Sequence, residues 1–408
     1  METAGLSGGS TEICMAMNYS TSPDKPTRVG VSGTGFIGRG LLAVLANADD
    51  FEMGRVLSQR PAKEVESVDR ELLTRSVDEM VESCDIVVEC SGDVWRAAEV
   101  VEAAMRAGRP VVTMGTEFHV TVGSYYVDQG YLTEAEGDQP GCLAAHAEDV
   151  ESMGFKPIVY GNIKGFLNHA PTEEEMDYWS KKNGISVEQT ISFTDGTKMQ
   201  MEQVLAANHF GADVQCRGMV GTQSMPLEVA GAELGRLAKA RGNALSDYVL
   251  SRNLPAGVFV VAEHPFERPE VLRYLKLGDG PYYTLLRNYH LCHLEMIKTL
   301  RRVAEGKAPL INNTANPRVM VAPVAKRALV SGELVVRAAG GYQLRGEAVM
   351  MAEVPDAVPL GLLDGARVVR PVESGQTLTW ADVELREGAA LNAALALRER
   401  VTAGISRA

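Results

Sequence analysis

Hydrophobic positions along the chain follow two rhythms in alternation. The run Thr27-Arg28-Val29-Gly30-Val31-Ser32 is rich in β-branched residues, and apolar positions then recur at helical spacing through Phe36, Ile37, Leu41, Leu42 and Leu45. Strand, tight turn and helix are predicted. Phe51 to Leu57 reads as a second strand and Glu71 to Ser76 as a short third. Asp85 to Gly92 reads as a fourth strand, whose unbroken apolar core suits burial on both faces. A helix over 97–107 stops at Gly108, and Pro110 to Gly115 is a fifth strand. Strands alternating with helices of this length predict a doubly wound parallel sheet.

A helix over 143–153 and a strand over 157–160 lead into a second unit. There, Thr172 to Lys182 reads as a helix with Glu173, Glu174 and Glu175 in its first turn, where negative charge suits the dipole. Ser186 to Phe193 reads as a strand, and Thr194 to Lys198 as a turn and helix start. Val258 to Ala262 is a strand, 277–283 a loop, and Tyr289 to Ala304 a helix. From Val319 the texture changes to short strands and turns. The segments 325–334 and 368–378 resemble each other, each a strand closed by a Ser-Gly turn. Leu385 to Val401 is a final amphipathic helix.

Length and charge narrow the class. The 408 residues allow two or three domains, with 45% hydrophobic and 23% charged residues. A net charge of −13 argues against nucleic acid or an anionic membrane as the partner. The six cysteines form no C-x-x-C pair, as expected of reduced thiols in a cytoplasmic protein. Residues 1–26 read as a loose leader without the pattern of a secretion signal, and no stretch reaches the roughly 20 apolar residues of a membrane span.

The first turn carries the first chemistry. Gly33-Thr34-Gly35-Phe36-Ile37-Gly38 fits a dinucleotide loop, with glycines for the turn, for approach to a diphosphate and for strand–helix packing. The end of the second strand carries Ser58, Gln59 and Arg60 and no acid to hold a ribose 2′-hydroxyl. Arg60 can meet a 2′-phosphate instead, which favours NADP(H) over NAD(H). Cys90, Ser91 and Gly92 fall at the carboxyl edge of the sheet, where ligands bind in such folds. Hydride transfer also needs a group to give or take a proton. Lys164 in Gly-Asn-Ile-Lys-Gly and Lys198 in Asp-Gly-Thr-Lys are the candidates, with Asp195 three residues before Lys198.

Several motifs in order carry a wider likeness: the glycine loop, Glu117 ahead of Val120 to Gly123, 137–141 (GDQPG), 161–165 (GNIKG), 193–198 (FTDGTK), 277–281 (LGDGP) and 289–291 (YHL). With them the chain after residue 26 resembles the homoserine-dehydrogenase-like oxidoreductases that carry a C-terminal SAF domain. One branch of that family is similar to the reductoisomerase acting on deoxyxylulose phosphate. The resemblance implies a Rossmann domain over 27–155, an α+β substrate and dimerisation domain over 156–318, and a β-clip with terminal helix over 319–408. It implies Lys198 as proton donor with Asp195 as its orienter or a substrate hydroxyl acceptor, Lys164 on an anionic substrate group, and Gly278 and Gly280 in a loop returning to the cofactor. Glu117, Asn208, Asp279 and His290 are the implied substrate contacts. His290 and His293 have metal-ligand spacing but no third partner, so a resident metal is not expected, although reductoisomerisation would call for a divalent ion. A homodimer or larger homo-oligomer is implied. Three departures stand out: a short segment between Arg60 and Glu71, Phe210, and Asn288 ahead of Tyr289. The expected activity is hydride transfer to or from a small polar hydroxy-carbonyl compound, phosphorylated or not. Reductoisomerisation, homoserine dehydrogenation and a non-catalytic dinucleotide sensor are the alternatives.

Overall fold

The computed structural model describes residues 25–405 apart from 62, 64, 66–67, 224–225 and 266–267. Residues 1–24, most of the expected leader, lie outside that set.

The amino-terminal half is one parallel sheet. Its strands are β1 (Thr27–Ser32), β2 (Phe51–Leu57), β3 (Leu73–Thr74), β4 (Ile86–Glu89), β5 (Val111–Thr113) and β6 (Leu132–Glu134), in the order β3-β2-β1-β4-β5-β6. The order reverses between β1 and β4, which opens a crevice at the carboxyl ends of those strands. The helices are α1 (Phe36–Leu45), α2 (Val77–Glu82), α3 (Val94–Arg106), short α4 (Thr116–Phe118), which runs through a π turn into α5 (Ser124–Tyr126), and α6 (Gln139–Ser152). Val87 and Val88 of β4 are completely buried, as the apolar run required.

The middle of the chain forms a second, mixed sheet. It contains β7 (Lys156–Lys164), β8 (Thr222–Gln223), β9 (Leu245–Leu250), β10 (Gly257–Glu263) and β11 (Tyr283–Arg287), ordered β11-β10-β7-β9-β8. Around it lie α7 (Glu173–Asn183), α8 (Val187–Thr194), α9 (Thr197–Phe210), α10 (Leu227–Arg241), α11 (Pro269–Tyr274) and α12 (His293–Ala304). α12 packs back on α1 of the first unit.

Three local expectations change. The strand expected over 186–193 is the helix α8. Its β-branched residues suit either element, but Ser186 and Gln189 form a reciprocal capping box that starts a helix. α12 begins at His293 rather than Tyr289, because Cys292 has φ 47°, outside the helical region. α10 and β9 were not foreseen.

The carboxyl-terminal part pairs β12 (Val319–Ala325) with β13 (Leu344–Met350) and β14 (Arg367–Val368) with β15 (Val383–Glu384), and ends in α13 (Ala389–Ile405). The two similar segments lie against each other. Leu329 and Val372 exchange backbone hydrogen bonds at 2.8 and 3.0 Å. The Ser331-Gly332 turn rests on the 368–369 backbone, and the Ser374-Gly375 turn on the 325–326 backbone, an approximately two-fold arrangement.

Candidate active site

The glycine loop has the shape a diphosphate needs. Gly33 has φ 114°, and a Cβ there would lie 2.7 Å from the Cys90 carbonyl oxygen. A Cβ at Gly38 would fall 2.1 Å from the Gly33 carbonyl oxygen, so only glycine lets α1 pack so close to β1. Gly35 is different: a Cβ there would meet nothing within 4 Å. Gly35 caps α1 without any side-chain hydrogen bond, so the first helical N–H groups have no side-chain cap. Such a helix start suits an anion. Thr34 and Ser58 hydroxyls meet at 2.9 Å, Ser58 Oγ accepts from the Arg60 backbone N–H at 3.2 Å, and the exposed Arg60 guanidinium reaches the Thr34 carbonyl at 3.5 Å. Phe36 is exposed and Ile37 half-buried. The open side of Gly35 at the start of α1 fits a dinucleotide's diphosphate.

At the end of β4 the expected trio separates. Cys90 is buried, its thiol donates to the Ser32 carbonyl at 3.2 Å, and burial pushes its pKa far up. Ser91 and Gly92 are exposed at the strand edge. Behind them Glu89 is fully buried, accepting from Ser91 N–H at 3.0 Å and Ser32 Oγ at 3.3 Å. Burial raises its pKa to about 7.

Lys198, in the first turn of α9, is the centre of a second cluster. Its ammonium touches Asp138 Oδ2 and lies 3.5 Å from Glu202 Oε1, one helical turn on. Asp138 caps α6 and accepts from the Gln139 N–H at 3.1 Å. The turn that presents it is jammed against the start of α12: a Cβ at Gly137, φ 122°, would lie 2.1 Å from the Cys292 carbonyl oxygen. Glu202 accepts from Asn162 Nδ2 of β7 at 2.8 Å. A further layer holds Glu134, which accepts from Thr113 at 2.6 Å, Thr116 at 2.9 Å and the Gly115 N–H at 3.2 Å. His119 meets the Thr113 hydroxyl at 2.7 Å. The start of α12 is pinned by Arg287, which bonds Glu136 at 2.7 Å and contacts Glu295, while Lys298 bonds Glu136 at 2.6 Å.

The charges around Lys198 act on one another. Burial works to lower its pKa, but Asp138, Glu202 and Glu134 outweigh it and hold the ammonium well above the ordinary lysine range. Burial works to raise Asp138, and Lys198 reverses that, so its carboxylate stays below its usual range. Burial carries Glu202 to about 7 against the pull of Lys198, and burial with the nearby Asp138 carries Glu134 to about 7.

The structure redistributes the other expected site residues. Asp195 does not pair with Lys198. Gly196, φ 86°, turns the chain between them, and Asp195 caps α9 through the Thr197 N–H at 2.9 Å while its other oxygen meets Lys326 at 2.5 Å. Asn208 is occupied structurally, donating to Asn313 at 2.8 Å and the Val319 carbonyl at 2.9 Å and accepting from the Arg318 and Val319 N–H groups. The loop with Gly278, Asp279 and Gly280 lies at the far end of the second sheet from Lys164. It precedes Tyr283, which pairs with Ala262 opposite Pro157, at the end of β7 remote from Lys164, and Asp279 is exposed beside Arg273. The segment that does reach the centre is 290–292, and the half-buried His290 is near enough to help hold the Asp138 charge. Glu117 is half-buried; burial and Asp364 raise its pKa to about 7 against the pull of Arg337 and Lys198. Lys164 ends β7 with its ammonium 5.5 Å from the Phe193 ring centre. Among the described residues no group of three or more His, Cys, Asp or Glu is arranged to hold a metal.

Sequence reading missed Asp138, Glu134 and Asn162 as participants, and did not place Glu202 beside Lys198. The signal for Asp138 was present in Gly137-Asp138-Gln139-Pro140-Gly141, a cap followed by proline at the second helical position.

Two family models match the chain in tandem. Residues 33–120 match the homoserine dehydrogenase NAD-binding domain, and residues 137–296 match the catalytic domain of oxidoreductase DRL. The chain thus joins an NAD-binding domain of the homoserine dehydrogenase type to an oxidoreductase catalytic domain. The second match begins at Gly137, one residue before the Asp138 that meets Lys198. Among solved structures, a homoserine dehydrogenase from Thiobacillus denitrificans is similar at 15% identity over 87% of this chain and 98% of that one, with a TM-score of 0.46. A UDP-N-acetylglucosamine 3-dehydrogenase from Acidithiobacillus ferrooxidans is similar at 14% identity over 71% and 93%, with a TM-score of 0.41. A biliverdin reductase from Synechocystis is similar at 12% identity over 70% and 93%, with a TM-score of 0.37. No curated protein matches the chain. No helix among the described residues is long and apolar enough to cross a membrane.

Proposed function

We propose that this oxidoreductase uses NADP(H) in preference to NAD(H) and moves a hydride to or from a small polar hydroxy-carbonyl compound. The observation that carries the reading is the Lys198 ammonium, clamped by Asp138 and Glu202 where the end of the first sheet meets α9. When bound, the nicotinamide supplies or accepts the hydride. The chain's part is electrostatic. Lys198 keeps a positive charge at a fixed point, where it favours the negative charge that develops on a carbonyl oxygen. Asp138 and Glu202 hold that charge in place, and Thr116, bonded to Glu134 at 2.9 Å, also reaches Asp138 at 3.4 Å. Gly35 and the free start of α1 take the diphosphate, and Arg60 supports the preference for a 2′-phosphate.

The test is direct. The protein is titrated with NADPH and with NADH by calorimetry, then assayed with NADPH against a panel that includes deoxyxylulose phosphate with Mg²⁺ and aspartate semialdehyde. Tighter binding of NADPH and its oxidation with one panel class support the reading. Failure to bind either dinucleotide overturns it, and binding without oxidation across the panel favours the sensor. We also propose a homodimer on the family resemblance, to be checked by light scattering.

A further inference from the structure

We propose that Lys164, rather than Lys198, gives the proton to the reacting oxygen, while Lys198 remains an ammonium throughout. The proposal rests on the function proposed above and assigns the proton transfer within that site.

The two lysines keep different company. Lys198 has two carboxylates around its Nζ. Lys164 forms no ion pair with any described residue; its neighbour is the face of Phe193 at 5.5 Å. Position on the strand brings them to one place. Asn162 and Lys164 are two residues apart on β7, so their side chains leave the same face. Asn162 spends its amide on Glu202, which fixes that face toward α9.

The charged groups that act on Lys164 are Glu202 and Lys198 on α9, and Asp195 just ahead of it. Asp195 is neutralised by Lys326 at 2.5 Å. Glu202 is shared with Lys198 at 3.5 Å and with Asn162 at 2.8 Å. Burial therefore dominates at Lys164 and lowers its pKa, the reverse of Lys198. A proton donor must release its proton and recover it within each turnover, which favours the amine whose pKa lies nearer the working pH. An ammonium locked by two carboxylates serves better as a standing charge.

In the reductive direction the carbonyl π bond opens as its carbon gains the hydride. The oxygen takes a proton from the Lys164 ammonium. That leaves a neutral amine, which regains a proton from water. In the oxidative direction the same amine receives the alcohol proton.

The experiment measures the two amines separately. The full chain is reductively methylated with ¹³C-formaldehyde, and the dimethyl-lysine signals are followed against pH by NMR. Lys164→Arg and Lys198→Arg variants assign the two signals. The expected result is a Lys164 signal that titrates at least about one pH unit below the exposed lysines, and a Lys198 signal that does not titrate below them. A Lys164 signal within or above the ordinary lysine range overturns the proposal. NADPH affinity, measured by calorimetry on the unmodified protein and on Lys164→Arg, separates the two claims. Wild-type protein that binds no NADPH defeats the proposed function whatever the titration shows. Binding retained within about twofold in Lys164→Arg, with the low-titrating signal lost, supports the assignment.

Discussion

Asp195 and Lys326 form an ion pair 2.5 Å long with both side chains buried, and it joins the start of α9 to the carboxyl-terminal β unit. The same junction carries a hydrogen bond from the Gly346 N–H to Thr197 Oγ1 at 3.0 Å and one from the Ala348 N–H to Gln200 Oε1 at 2.7 Å. The β unit is therefore part of the mount that sets the height and tilt of Lys198. Removing one partner of a buried pair costs about 3–5 kcal/mol, because the other charge is left without compensation. Lys326→Met is expected to lower the unfolding free energy by that amount, and Lys326→Met combined with Asp195→Asn by clearly less. Denaturant unfolding of both variants checks this; equal losses would show that the pair is not coupled.

Gly35 and Gly38 are expected to separate binding from folding. A methyl at Gly35 meets nothing in the protein, so Gly35→Ala should leave stability within about 0.5 kcal/mol of wild type. NADPH affinity should nevertheless fall at least tenfold. A methyl at Gly38 strikes backbone, so Gly38→Ala should lose several kcal/mol of stability. Thermal melts with and without NADPH distinguish the two.

Arg60 is expected to discriminate between dinucleotides. A hydrogen bond to a charged group is worth about 1.5–3 kcal/mol, so Arg60→Ala should weaken NADPH binding by roughly 10- to 150-fold. NADH binding should change little. Equal losses for both would place Arg60 away from the 2′-phosphate.

The buried carboxyls make stability depend on pH in a particular sense. Glu89 has its folded pKa raised to about 7, from an ordinary value near ~4.3. Between those values the folded state holds the extra proton, so this group's contribution to stability falls as pH rises through that window and levels off above about 7. Glu89→Gln should flatten that slope and gain on the order of 1–3 kcal/mol above pH 7. Chemical unfolding at a series of pH values reads the slope directly; an unchanged slope would remove Glu89 as its source.

What the sequence disclosed follows the range of each interaction. The first sheet was legible because its signals are local: three glycines at fixed spacing and apolar runs such as 86–88. The cluster around Lys198 was partly legible. Lys198 and Lys164 stood out by their flanking glycines, but the partner of Lys198 lies 60 residues away, at the cap of α6. Proximity in sequence favoured Asp195, and a single left-handed glycine turned it elsewhere. The position of the glycine-rich loop at 278–280 was illegible for a related reason. Its composition signals a turn, and only the pairing of β11 with β10 decides at which end of the sheet the turn lies.

The two Ser-Gly turns of the carboxyl-terminal unit have a further consequence. Each turn closes the end of the other segment's strand, so neither stretch has a satisfied edge until its counterpart has arrived from some forty residues away. A nick between them would strand two incomplete halves rather than shorten one arm. Because Lys326 belongs to one of those stretches, the footing beneath α9 would give way at the same moment.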